Sequence, residues 1–185
     1  MAEAAVRRSV PVTPGSSWQP GPPRTRFSLR VELDAAAARA AAAGLPISTV
    51  PCRAVSSGDW SALWLGPDEQ LLIGPEDAGA AMKALVEKTL HGLEFSLVDV
   101  SHRQGFVEVH GPHAADMINT GCPLDLDVRQ FPVGACTRTV FSKAEVVLWR
   151  RATESFHVEV WRSFTPYVSA LLALAAQEYP STAPD

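Results

Sequence analysis

Apolar and polar residues alternate from Phe27 onward: Phe27, Leu29, Val31 and Leu33 are separated by Ser28, Arg30 and Glu32. A period of two is that of a half-buried strand. Asp34 is then placed to cap a helix through AAAARAAAA at 35–43, which Gly44, tolerant of the left-handed conformation, should close. Residues 61–65 and 69–73 read as two strands joined by Gly66-Pro67-Asp68, whose Gly and Pro suit a tight turn. Helical spacing follows at Ala78, Ala81, Met82, Leu85, Val86, Thr89 and Leu90, with Glu76 and Asp77 at the start and His91-Gly92 at the end.

The second half runs through a similar order. Strands are expected near 106–109, 137–141, 145–150 and 156–161, with a short helix over 112–119. A last helix should begin near Ser163 and Pro166 and stop before Pro180. The recurrence, offset by about 80 residues, indicates an α+β fold of two pseudo-repeated lobes, antiparallel sheets with helices packed on one face. The expected boundaries are an extended Pro-rich arm over 1–25, lobes over 26–98 and 99–180, and a tail over 181–185. The arm holds PVTPGSSWQPGPP, a composition expected neither to pair into sheets nor to continue a helix. Trp18 within it leaves open a free terminus or a segment laid along a partner.

Between 98 and 110 the buried parity switches. Val98 and Val100 are even, Val107 and Val109 odd, with Ser101, His102, Arg103, Gln104 and Gly105 between. A single strand does this only through a bulge, for which Gly105 is suited. The other reading is a corner where the chain passes between lobes, with Ser101, His102 and Arg103 satisfying backbone groups. The terminal helix carries Val168, Leu171, Leu172 and Leu174 around roughly 160° of its circumference, wider than one packed stripe needs. Either part of that surface meets another chain or the helix is wedged between two lobes of this same chain. Trp149 and Trp161 beside the last hairpin likewise either fill a core, the default for such rings, or anchor an interface.

Composition narrows the function. The 185 residues are 46% hydrophobic and 19% charged, ordinary for a packed globular chain, and a net charge of −4 argues against a phosphate-backbone partner. The apolar runs near either end fall far short of a signal peptide or a span, so a soluble cytoplasmic protein without a membrane partner is expected. Cys52, Cys122 and Cys136 are odd in number and far apart, so neither a disulfide scaffold nor a zinc pair is anticipated. His102, His110 and His113 lack companions at ligand spacing, so metal binding is not anticipated either. Asp99, Ser101 and His102 lie too close on one extended segment to form a relay, and no Gly-rich phosphate loop is present. No catalytic or cofactor-binding residue is assigned on these grounds.

Val98-Asp99-Val100-Ser101-His102, followed by Gly111-Pro112-His113-Ala114-Ala115, resembles the Asp-x-Ser-His and Gly-x-x-Ala pattern of the folate-binding aminomethyltransferase fold. VDVSHRQ (98–104), GCPLDL (121–126), FPVGACTRT (131–139), KAEVVLWR (143–150) and VWRSFTPYV (160–168), with WLGPDEQLL (64–72) upstream, resemble the gamma subunit family of heterotetrameric sarcosine oxidase. The resemblance covers most of 60–179 and little before 48. It implies an aminomethyltransferase-like fold and a place in a complex that oxidises sarcosine to glycine with hydrogen peroxide, the methyl group leaving as formaldehyde or passing to tetrahydrofolate as 5,10-methylenetetrahydrofolate. It implies alpha, beta and delta subunits as partners, and FAD, FMN, NAD and tetrahydrofolate held by partners rather than by this chain. Ser101, His102, Arg103, Trp149, Trp161, Arg162, Leu172 and Leu174 are then the candidate interface or structural residues. Where aminomethyltransferases open a strand with two acidic residues, this chain reads Ala144-Glu145, which puts independent folate chemistry in question. The alternative is a self-sufficient folate-dependent one-carbon enzyme, with Glu145 reacting and Arg138 or Arg162 clamping the folate glutamate.

Overall fold

The computed structural model describes residues 16–179. The chain is mixed α+β with two five-stranded sheets, and it divides into two compact units. One unit takes 22–104 with 134–138; the other takes, of the described residues, 16–21, 105–133 and 139–179.

In the first of these, strands β2 (Thr25–Val31), β3 (Ala54–Ser57), β4 (Trp60–Gly66), β5 (Glu69–Gly74) and β6 (Phe95–Asp99) form a sheet of order β3-β4-β5-β2-β6, every adjacent pair antiparallel. Helices α1 (Leu33–Ala43) and α2 (Gly79–Thr89) belong to this unit. Phe27, Leu29 and Val31 of β2 are buried with Ala36 and Ala40 of α1, Met82 and Val86 of α2, and Ala62 and Leu72 of the hairpin. Alanines one turn apart let α1 lie close to the sheet, which is how so featureless a helix finds its place. Its N-cap is Glu32, whose carboxylate accepts from the Asp34 and Ala35 amides; Asp34, the expected cap, lies inside the first turn. The longer Glu side chain reaches both amides from an extended backbone. Gly44 closes the helix at φ 72° as anticipated.

The second sheet has order β1-β7-β10-β9-β8, from β1 (Ser17–Pro20), β7 (Gln104–His110), β8 (Cys136–Phe141), β9 (Ala144–Ala152) and β10 (Ser155–Trp161). Helices α3 (Ala114–Asn119) and α4 (Thr165–Ala176) complete the unit, and their buried residues include Met117, Ile118, Val168 and Leu172. The expected arm extends beyond the described residues, but its described part corrects the view that this composition stays out of sheets. Ser17–Pro20 pairs with His110–Val107. Being an edge strand, β1 tolerates Pro20, which has no amide to donate. Gly21 follows, where an added Cβ would stand 1.9 Å from the Phe106 ring.

The parity switch is the corner, and the bulge reading is corrected. β6 ends at Asp99 in one sheet and β7 starts at Gln104 in the other, so two strands with separate registers were being read as one. The division between units falls at Gln104/Gly105, beyond the 98/99 boundary, because β6 is held along β2 to its last residue.

Candidate functional site

At the corner, the Ser101 hydroxyl accepts from the Arg26 amide at 2.8 Å and donates to the Arg26 carbonyl at 3.4 Å, extending the β2–β6 ladder past its end. The Ser101 amide donates to Asp99 Oδ1 at 2.8 Å. Hydrogen bonding from Ser101 holds the Asp99 carboxyl below its usual range, while desolvation opposes it. Ser101 is thus a structural residue with its hydroxyl already engaged; His102 and Arg103 reach the surface.

The remaining histidines are occupied locally. His113 Nδ1 lies 3.1 Å from Asp116 Oδ2 with its ring stacked on Tyr179, and His110 Nε2 lies 3.5 Å from Glu108. Arg138 faces Glu69 with both terminal nitrogens, one at 3.0 Å and the other closer still, and Arg30 adds a third contact at 3.0 Å. Arg138 and Arg30 hold the Glu69 carboxyl below its usual range against the opposing effect of burial, the Arg138 hydrogen bond being the largest influence. A guanidinium committed to a carboxylate in this fork is poorly placed to clamp a folate glutamate.

Sequence reasoning missed the buried polar groups. Glu159 Oε1 accepts from His157 Nε2 at 2.7 Å, and the His157 ring stacks on Phe106 with centroids 4.2 Å apart. Arg150 donates to the Leu126 carbonyl and lies 4.5 Å over the Phe156 ring; burial draws its pKa down, with Asp127 opposing. The strands expected over 145–150 and 156–161 contain these residues, but nothing in their pattern marks a charged side chain as internal. Trp149 is half-buried, tilted against His157, with the Arg151 guanidinium 5.2 Å over its ring.

Exposed apolar groups gather where β10 passes into α4. Trp161 is 46% exposed at the strand's end, Arg162 begins a single 3-10 turn, and Phe164 and Tyr167 follow, both exposed. Their rings meet edge-to-face at 6.4 Å, and the Tyr167 hydroxyl is 2.9 Å from Ser142 Oγ, which fixes the aromatic pair to the turn after β8. Leu174, seven residues beyond Tyr167 on the same stripe of the helix, is 60% exposed. Leu172 is corrected from interface candidate to core: it is 1% exposed, on the opposite stripe with Val168 and Ala175. A monomer seldom leaves a run of large apolar side chains in water unless another surface covers it.

A family model described as "Sarcosine oxidase, gamma subunit family" matches residues 31–178. The sarcosine oxidase subunit gamma of Corynebacterium sp. (strain P-1) is 35% identical over 147 residues, 80% of this chain and 71% of that protein. Among solved structures, the heterotetrameric sarcosine oxidase from Corynebacterium sp. U-96, in complex with pyrrole 2-carboxylate, superposes with TM-score 0.79 and 27% identity, covering 92% of this chain and 88% of the matched chain. The glycine cleavage system aminomethyltransferase T from Bartonella henselae shares the fold, with TM-score 0.62 at 11% identity over 88% of this chain and 49% of its own. Helix and strand order, motif series and matched length all agree: the chain belongs to the sarcosine oxidase gamma subunit family.

Proposed function

We propose that this chain is the assembly subunit of a heterotetrameric sarcosine oxidase, joined to alpha, beta and delta subunits that carry FAD, FMN, NAD and tetrahydrofolate. In this reading the complex demethylates sarcosine to glycine with release of hydrogen peroxide, and the gamma chain contributes surface rather than reacting groups. The observation that carries it is the exposure of Trp161, Phe164, Tyr167 and Leu174, with the Phe164–Tyr167 ring pair held by the Tyr167–Ser142 contact. Large rings with few rotatable bonds, already fixed in place, lose little entropy on docking and make strong anchors. The fate of Arg138, bound to Glu69, weighs against the self-sufficient folate enzyme.

Copurification of the tagged chain with its coexpressed partners tests this. Leu174→Asp or Trp161→Asp should reduce recovery of flavin-coloured partner about tenfold or more while the free variant melts like the parent. Undiminished recovery of coloured partner with both variants would refute the docking face, and turnover of sarcosine by the chain alone would refute the subunit reading.

A further inference from the structure

Cys52 and Cys136, 84 positions apart in sequence, are brought opposite one another on paired backbone within the first unit. The isolated bridge between Arg53 and Ala135 is antiparallel, so the next pair outward is Cys52 with Cys136. The Ala54 amide donates to the Gly134 carbonyl at 2.8 Å and the Cys136 amide to the Cys52 carbonyl at 2.9 Å. One hydrogen bond of that length keeps the two Cα atoms within roughly 6–7 Å, inside the separation disulfides span. Cys52 sits in the turn Val50-Pro51-Cys52-Arg53, closed by the Arg53 amide on the Val50 carbonyl, at φ 57°. Pro at the second position and positive φ at the third define a type II turn, where Gly or Asn is the easy residue. This chain has a thiol there instead, exposed to solvent, while its opposite number is buried.

We propose that Cys52 and Cys136 form an intramolecular disulfide when the protein meets hydrogen peroxide. Burial pushes the Cys136 thiol up to about 12, so the exposed Cys52 meets the oxidant first. Its thiolate attacks a peroxide oxygen, the O–O bond breaks, and Cys52 becomes a sulfenic acid as one water leaves. Cys136 then attacks that sulfur, its proton joining the departing hydroxide as a second water; two thiols and one peroxide become a disulfide and two waters. The Cys136 Sγ, 3.6 Å from the Trp64 carbonyl, gives up that contact to reach its partner. A high thiol pKa makes the second step the slow one, accelerating as pH rises. A cellular source of peroxide rests on the proposed complex, whereas the pairing itself does not.

The test uses the purified full chain with added hydrogen peroxide, followed by alkylation and non-reducing peptide mapping. The expected product is one intrachain peptide pair joining Cys52 and Cys136, lighter by two hydrogens, formed on the order of a hundredfold faster at pH 9 than at pH 7 as the Cys136 thiolate fraction grows. Cys122→Ser should leave it unchanged and Cys52→Ser should abolish it. Conversion of Cys52 to sulfinic acid with Cys136 still alkylated after denaturation would overturn the proposal, as would a bridge to Cys122 or between two copies. The pairing can fail with assembly intact, and assembly can fail with the pairing intact.

Discussion

Two glycines are used for the space a Cβ would take. Gly21 lies against the Phe106 ring and Gly74 beneath the Trp60 indole, where an added Cβ would stand 2.3 Å away. Both neighbours are large rings, Phe106 stacked on His157 and Trp60 on Phe27, so neither has an easy retreat. Gly21→Ala and Gly74→Ala should each cost about 1–3 kcal/mol of unfolding free energy, the usual penalty of overpacking; denaturant midpoints equal to the parent's would disprove the close approach. Glu69 supplies a test by pH. Its folded pKa lies below the unfolded value, so its contribution is complete above the unfolded pKa and is lost as pH falls through the depressed one. Glu69→Gln should therefore melt lower than the parent at neutral pH, by about 1–3 kcal/mol of stability, and the two should converge on acidification. A gap independent of pH would mean that the Arg138 and Arg30 contacts contribute nothing through charge.

At the scale of elements, α4 separates two leucines that sequence alone treated alike. Leu172 lies in the core stripe and Leu174 in water, two positions and some 200° apart around the helix. Leu172→Asp should destabilise the free chain by several kcal/mol, of the order of 2–5, and Leu174→Asp by less than about 0.5, as thermal melting will report. The hairpin of β4 and β5 and the cap at Gly44 were legible in the sequence because each depends on residues a few positions apart. The breadth of the apolar arc on α4 was legible as well, but which part faces inward depends on β1, about 150 positions earlier in the chain. The same holds for the 98–110 segment, where an alternation shared by two sheets looks like a bend in one strand. β1 was hidden for another reason: Pro20 disqualifies an interior strand and says little about an edge.

On the scale of the whole molecule, the aminomethyltransferase-like architecture is kept while its surface carries features that suit a companion chain. Among the described residues no helix is long and apolar enough to cross a membrane. Function was legible chiefly through short motifs spread over 64–168, since composition and charge only removed alternatives. Neither unit is continuous in sequence: the one built mostly from 22–104 also needs 134–138, which brings Arg138 to Glu69 and Cys136 to Cys52. A fragment ending at residue 104 should accordingly be less cooperative and melt lower than the same unit in the full chain, as calorimetry would detect. During translation, then, the amino-terminal half cannot reach its final state as it leaves the ribosome; it must wait, incomplete and exposed to chaperones, until residue 138 has been synthesised and returns to finish it.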